Sequence, residues 1–330
     1  MNSFTDTPCS KDHERIAVIA TGGTIACTDN TDGALVPTKN AADLIARALA
    51  EAENSSLELP TDAFYPVDAA QLDSSSLTLG DLDGLIDTLA RELSTPETAG
   101  AIVTHGTDSM EDTALVLSAY FPDVPLVVTG AQHPADAEQP DGPGNLARAM
   151  EYAVQARGKS GAETAICFGG KLIAAPGAMK RDTAALEAFS NSYSAAGQKV
   201  PRVPAFPRKQ LDGLNVPVIT AFPGSGRELV DAALRLRVDG LVVEALGAGN
   251  MGDEMGEGVA DVLDSGIPVV VTSRVPDGAI ALTYGGSGGG ATLADMGAIP
   301  AGRLRAGQSR MLLALSLAAG YNPAQVFSGF

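Results

Sequence analysis

Two short segments set hydroxyl side chains among glycines: Thr21-Gly22-Gly23-Thr24-Ile25 and Thr104-His105-Gly106-Thr107-Asp108-Ser109. A third, Thr129-Gly130-Ala131-Gln132, is built alike. Glycine lets the backbone turn sharply and leaves its N–H groups open to a ligand. A threonine hydroxyl is a weak nucleophile and needs a base or another activating group beside it. Asp108 adjoins Thr107, and Lys180 follows the turn-like run Ala175-Pro176-Gly177-Ala178-Met179. The competing explanation is structural. Thr24 and Thr107 would be turn or helix-capping residues, Asp108 or Ser109 would cap a helix starting at Met110, and Lys180 would be a solvated loop lysine. Capping does not explain why His105-Gly106-Thr107-Asp108 accompanies Thr21-Gly22-Gly23-Thr24 in one chain. His105 is expected as a buried, hydrogen-bonded support beside the site, not as its base.

Rival chemistries fail on spacing. Gly285-Gly286-Ser287-Gly288-Gly289 fits the G-x-S-x-G nucleophile elbow, but that arrangement needs a histidine after the serine, and the histidines are His13, His105 and His133. Gly158-Lys159-Ser160 ends like a phosphate-binding loop, yet its first glycine would fall at Ala153, inside a helical pattern. The glycines after the first strand lack dinucleotide-site spacing. No histidine pair stands four apart, and Cys9, Cys27 and Cys167 are widely separated, so neither a metal site nor a disulfide framework is expected. No cofactor is called for.

The elements that must position these residues are legible as short apolar runs. Ile16–Ala20, Ala101–Val103, Leu126–Val128, Thr164–Phe168, Val216–Thr220, Leu241–Val243 and Val269–Thr272 read as strands. Helical spacing between most of them covers Ala41–Ala52, Leu79–Leu93, Met110–Ala119, Asn145–Ala156, Arg227–Arg237 and Val259–Ser265, with a last helix at Arg310–Ala319. Continuous apolar strands alternating with helices predict α/β architecture, a doubly wound and mostly parallel sheet covered on both faces. In such sheets ligands bind outside the carboxyl ends of the strands, where the glycine–threonine segments fall. At roughly 150 residues per domain, 330 residues predict about two domains. The expected division is a disordered tail at 1–14, a larger N-terminal catalytic domain at 15–190, a Pro-rich linker with few core contacts at 191–212, and a smaller C-terminal α/β domain at 213–330. With 22 Lys+Arg against 40 Asp+Glu the net charge is -18, which disfavours nucleic acid and anionic membrane surfaces as partners. Apolar runs are too short to cross a bilayer, and Met1–Arg15 lacks the apolar stretch of a signal peptide, so a soluble, cytoplasmic protein is expected.

Ala20-Thr21-Gly22-Gly23-Thr24-Ile25-Ala26 and Thr104-His105-Gly106-Thr107-Asp108-Ser109-Met110-Glu111-Asp112-Thr113-Ala114 resemble the two signature segments of bacterial-type L-asparaginases, the asparaginase/glutaminase family. Gly130-Ala131, Asp141-Gly142-Pro143-Gly144-Asn145-Leu146 and Ser273-Arg274-Val275-Pro276 extend the likeness along nearly the whole chain. The resemblance implies hydrolysis of L-asparagine to L-aspartate and ammonia, with Thr24 as nucleophile and Thr107, Asp108 and Lys180 as a proton relay. It implies a substrate-binding set of Gly23, Ser74, Ser75, Gly106, Thr107, Asp108 and Ala131, with Ser74 on the α-carboxylate and Asp108 on the α-amino group. It further implies active sites at the interface of an intimate dimer, and a homotetramer built as a dimer of dimers. Two departures stand out. The family's tyrosine shortly after the first motif is replaced by Gly33-Ala34-Leu35-Val36-Pro37, and its interface glutamate is missing at Thr283-Tyr284-Gly285-Gly286. Alternatives are a glutaminase-asparaginase with little preference, since one methylene discriminates by only about 1–3 kcal/mol, an amidotransferase component that feeds ammonia to a tRNA-charging complex, and a non-catalytic amino-acid-binding protein. The amidotransferase component typically carries an extra N-terminal domain, whereas about 15 residues precede the first strand here. A binding protein would need neither Lys180 nor both threonines.

Overall fold

The computed structural model describes residues 14–29, 34–159 and 161–330; the tail expected at 1–14 lies, except for Glu14, outside them. In the first part of the chain the strands are β1 (Arg15–Gly22), β2 (Cys27–Asp29), β3 (Leu35–Pro37), β4 (Phe64–Leu72), β5 (Thr98–Thr104), β6 (Leu126–Thr129), β7 (Ala165–Phe168) and β8 (Lys171–Ala174). The helices among them are α1 (Ala41–Asn54), α2 (Leu79–Leu93), α3 (Met110–Tyr120) and α4 (Gly142–Ala156). The main sheet runs β4-β1-β5-β6-β7-β8 and is parallel except for the β7–β8 pair. Its strands are apolar at successive positions because both faces are covered. Ala17 and Ile19 enter the core under α2 and α3, while Ile16, Val18 and Ala20 enter the one under α1 and α4. Reciprocal capping boxes, Asn40 with Asp43 and Thr78 with Asp81, start α1 and α2.

The chain continues through the antiparallel pair β9 (Ala178–Lys180) and β10 (Phe189–Asn191), followed by α5 (Ser192–Ala195). A second, all-parallel sheet has the order β11 (Val218–Thr220), β12 (Leu241–Ala245), β13 (Val269–Ser273), β14 (Ile299–Pro300). Around it lie α6 (Glu228–Leu236), α7 (Asp253–Asp264), α8 (Gly290–Asp295), α9 (Ala306–Ala319) and α10 (Pro323–Phe327). Val242, Val270 and Ile299 of this sheet share one core with α3, α9 and the main sheet. Among the described residues no helix is long and apolar enough to cross a membrane.

Besides the short elements β2, β3, β8, β9, β10, β14, α5, α8 and α10, which the apolar runs and helical spacing do not mark, two features differ from expectation. Strand β4 escapes sequence reading because it is an edge strand with alternating burial and carries Pro66, which an edge tolerates. Between residues 191 and 212 the chain is not loosely held: Val203, Phe206 and Leu211 are buried in the shared core. The backbone N–H groups of Leu211 and Asp212 both donate to the Asp83 carboxylate on α2, which also pairs with Arg208. Proline keeps this segment extended without keeping it out of the core.

Candidate active site

The order β4-β1-β5 explains how distant segments meet. Three adjacent parallel strands end on one edge, so the loops carrying Ser74, Thr24 and Thr107 emerge side by side. Glycine permits their close approach. Gly23 has φ 79°, and a Cβ there would fall 2.5 Å from the Gly106 nitrogen. A Cβ on Gly106 would in turn fall 2.3 Å from Ser74 Oγ. Any larger residue at either position would drive the loops apart.

Hydrogen bonds then fix the cluster. Lys180, at the end of β9, directs Nζ to Thr107 Oγ1 at 2.8 Å and to Asp108 Oδ1 at 3.0 Å. The lysine side chain is 18% exposed and the aspartate 58%, so the pair bridges the wall of the cleft and its open mouth. Lys180 is thus no solvated loop lysine. Ser74 Oγ accepts from the Asp108 N–H at 3.2 Å, and Ser109 Oγ donates to the Ser74 carbonyl at 2.7 Å. Neither Asp108 nor Ser109 caps α3 with its side chain. The expected caps are spent on joining the loops. Thr24 stands in a single 3-10 turn without a side-chain cap, and its hydroxyl makes no hydrogen bond among the described residues.

His105 is a buried support. Its Nδ1 donates to the Gly106 carbonyl at 2.7 Å, and its Nε2 accepts from the Thr113 hydroxyl at 3.1 Å. Burial pushes its pKa down, which keeps the ring neutral. Asp141 accepts from the N–H groups of Gln132 and His133, and Asn145 Nδ2 donates to the Gly130 carbonyl at 3.0 Å. The Asp141–Asn145 segment therefore shapes the turn after β6.

The three loops and the end of β9 border a cleft of about 490 Å³, within the range of small-molecule sites. Gly23, Thr24, Ser74, Gly106, Thr107, Asp108 and Lys180 all reach it. Ser75 is exposed beside the cleft without lining it, and the Ala131 side chain is buried in the core. Residues missed in sequence include Gln71, Asp73, Gln132 and Thr183. Asp73 adjoins Ser74, and Gln132 ends the third glycine-containing segment, which was the available signal. Cys27 also lines the cleft; burial and the Asp73 charge push its thiol pKa up, so it is not a ready nucleophile. Leu35 and Pro37 of β3, from the segment that has no tyrosine, line the cleft with exposed side chains, and Gly33 falls outside the described residues. Among the described residues no group of three or more His, Cys, Asp and Glu side chains is placed to hold a metal ion.

Residues 15–205 match the family model described as asparaginase, N-terminal, and residues 215–330 match the glutaminase/asparaginase C-terminal domain. The chain belongs to the asparaginase family. Within that family it is 34% identical to a probable L-asparaginase of Deinococcus radiodurans, over 92% of each chain. An L-asparaginase of Bacillus licheniformis is 27% identical, over 93% of this chain and 96% of its own. A component of the glutamyl-tRNA(Gln) amidotransferase of Aeropyrum pernix is 27% identical over 90% of this chain and 73% of its own. Among solved structures, a probable cytoplasmic L-asparaginase from Campylobacter jejuni superposes with a TM-score of 0.79 at 25% identity, covering 96% of this chain and all of that one.

Proposed function

We propose that this enzyme hydrolyses L-asparagine to L-aspartate and ammonia. The observation that carries this is the seating of Lys180 Nζ between Thr107 Oγ1 and Asp108 Oδ1, in a cleft that Thr24 and Ser74 also line. An amide is a poor electrophile with a poor leaving group, so the reaction needs a nucleophile, a proton donor for nitrogen and stabilisation of the developing oxyanion. Thr24 Oγ1 attacks the side-chain carbonyl carbon and gives its hydroxyl proton to the Lys180–Thr107 pair; the C–N bond breaks, and the pair passes that proton to the nitrogen, which leaves as ammonia. Water then adds to the resulting β-aspartyl ester and releases aspartate and the free hydroxyl. Ser74, with neighbouring backbone N–H groups, takes the substrate carboxylate, and Asp108 takes the ammonium. No metal or organic cofactor has a step in this scheme.

The test is ammonia release with asparagine and glutamine supplied separately, for the wild type and for Lys180→Met. Asparagine turnover that collapses in the folded variant supports the relay; near-wild-type turnover refutes it. Equal rates on both amides would move the assignment to a glutaminase-asparaginase, a shared activity that the description of the C-terminal family also names. Self-association as a homotetramer, a dimer of dimers, and a cytoplasmic location complete the proposal. The latter is supported by the description of the Campylobacter structure. Sedimentation showing a fully active monomer at assay concentration would refute the assembly.

A further inference from the structure

Lys180 is held from two directions. Its ammonium meets Thr107 and Asp108, while its backbone N–H donates to Glu111 Oε1 at 3.2 Å. Glu111 lies in the first turn of α3, immediately after the loop that carries Thr107 and Asp108. The other carboxylate oxygen, Oε2, is buried without a hydrogen-bond partner among the described residues. The one hydrogen bond this carboxyl makes to another residue, among the described residues, is thus with the Lys180 backbone.

The turn leading into Lys180 is held from the opposite side. Gln308, near the start of α9, is 2% exposed. Its Oε1 accepts from the Gly177 N–H at 2.8 Å, and its Nε2 donates to the carbonyls of Ala175 at 2.7 Å and Glu111 at 2.9 Å. A buried amide is costly unless its groups are satisfied, and here both donor positions and the oxygen are used. Gly177 has φ 79°, and a Cβ there would fall 2.5 Å from the Tyr193 ring, so the turn has one permitted shape. One side chain from the C-terminal half thus ties the turn before Lys180 to the helix that follows Asp108.

We propose that Glu111 and Gln308 are positioning residues for Lys180, a strut that sets the distance from its ammonium to Thr107 and Asp108. This rests on the proposed function, because it assigns the relay lysine its place. A displacement of about 1 Å in a reacting group can cost about a hundredfold in rate. Neither residue lines the cleft, so substrate affinity should be largely spared.

The experiment measures kcat and KM for asparagine in Gln308→Met, Glu111→Leu and Glu111→Gln, with folding checked by circular dichroism. Expected are falls in kcat of about tenfold or more in the first two, with KM within about threefold of wild type. Glu111→Gln keeps an oxygen that accepts from the Lys180 N–H and should recover most of the loss. If Gln308→Met does not fold, the Glu111 pair decides by itself. Wild-type kcat in either folded variant, a loss confined to KM, or a Glu111→Gln as impaired as Glu111→Leu would each overturn the inference. Lys180→Met is measured alongside. If it keeps wild-type turnover, the relay itself fails; if it is inactive while the folded strut variants are not, the positioning role alone fails.

Discussion

Asp112, next to Glu111 in the first turn of α3, is expected to destabilise the protein above neutral pH, and Asp112→Asn should relieve this. The side chain lies against α9, where Gly307 leaves it room: a Cβ there would fall 2.4 Å from Oδ1. Burial drives the Asp112 carboxyl from its ordinary 3.8 up to about 7, helped by the Glu111 charge and opposed by Arg310. The folded state therefore binds this proton more tightly than the unfolded state does. The resulting stability is fully present below the unfolded pKa and is lost as pH rises through about 7. At about 1.4 kcal/mol for each pH unit, the difference amounts to about 4 kcal/mol. That is a ceiling, since Asp112 is only part-buried and a helix N-terminus favours a carboxylate by about 0.3–1 kcal/mol. A gain of about 1–3 kcal/mol for Asp112→Asn at pH 8 is expected, shrinking towards zero near pH 4. Urea unfolding midpoints of both proteins at a series of pH values provide the assay. Glu111, whose carboxyl pKa burial also raises, remains in both proteins, so their difference isolates Asp112 and its coupling to that neighbour. Stability curves that stay parallel from pH 4 to 8 would refute the reasoning.

Gly23→Ala should lose activity by about tenfold or more, because its methyl would meet the Gly106 nitrogen at 2.5 Å and part the two threonine loops. Initial rates on folded protein check this, and unchanged rates would mean that the loops tolerate separation. Thr24→Ala and Thr107→Val should each cost several orders of magnitude in turnover, while the double variant is little worse than the poorer single one. Additive losses would mean independent roles. Leu35→Ala, at the mouth of the cleft, should raise KM more than it lowers kcat. A fall in kcat with KM unchanged would place that loop in the chemical step.

Much of the frame was legible because its strands are buried on both faces. Ile16–Ala20 and Val269–Thr272 are continuous apolar runs that no amphipathic element would show. Strand β4 was not legible, since an edge strand with Pro66 and Asp68 has the composition of a loop. Yet β4 delivers Ser74, so the strand hardest to read carries part of the site. The glycine–threonine pairs could be found because close backbone approach demands glycine, and that demand leaves a mark in sequence. Lys180 could not be found by pattern, because what distinguishes it is its contact with Thr107 and Asp108, which are more than 70 residues away in sequence. Gln308 is still further removed, reaching across 131 residues to Gly177. Nothing local distinguishes it from any polar residue at the start of a helix.

The first turn of α3 shows why neighbouring acids need separate tests. Glu111 and Asp112 are adjacent, both part-buried, and burial raises the pKa of both. Glu111 has a partner that its carboxyl positions, the Lys180 N–H, whereas Asp112 makes no side-chain hydrogen bond among the described residues. Neutralising Asp112 should therefore raise stability and leave turnover alone, while removing the Glu111 acceptor should lower turnover whatever it does to stability. A general effect of charge in this turn would move both quantities together in both variants. A divergence, with stability following Asp112 and kcat following Glu111, can arise only if the two carboxylates act on different parts of the structure. Their directions of contact, Asp112 towards Gly307 and Glu111 towards Lys180, already point that way.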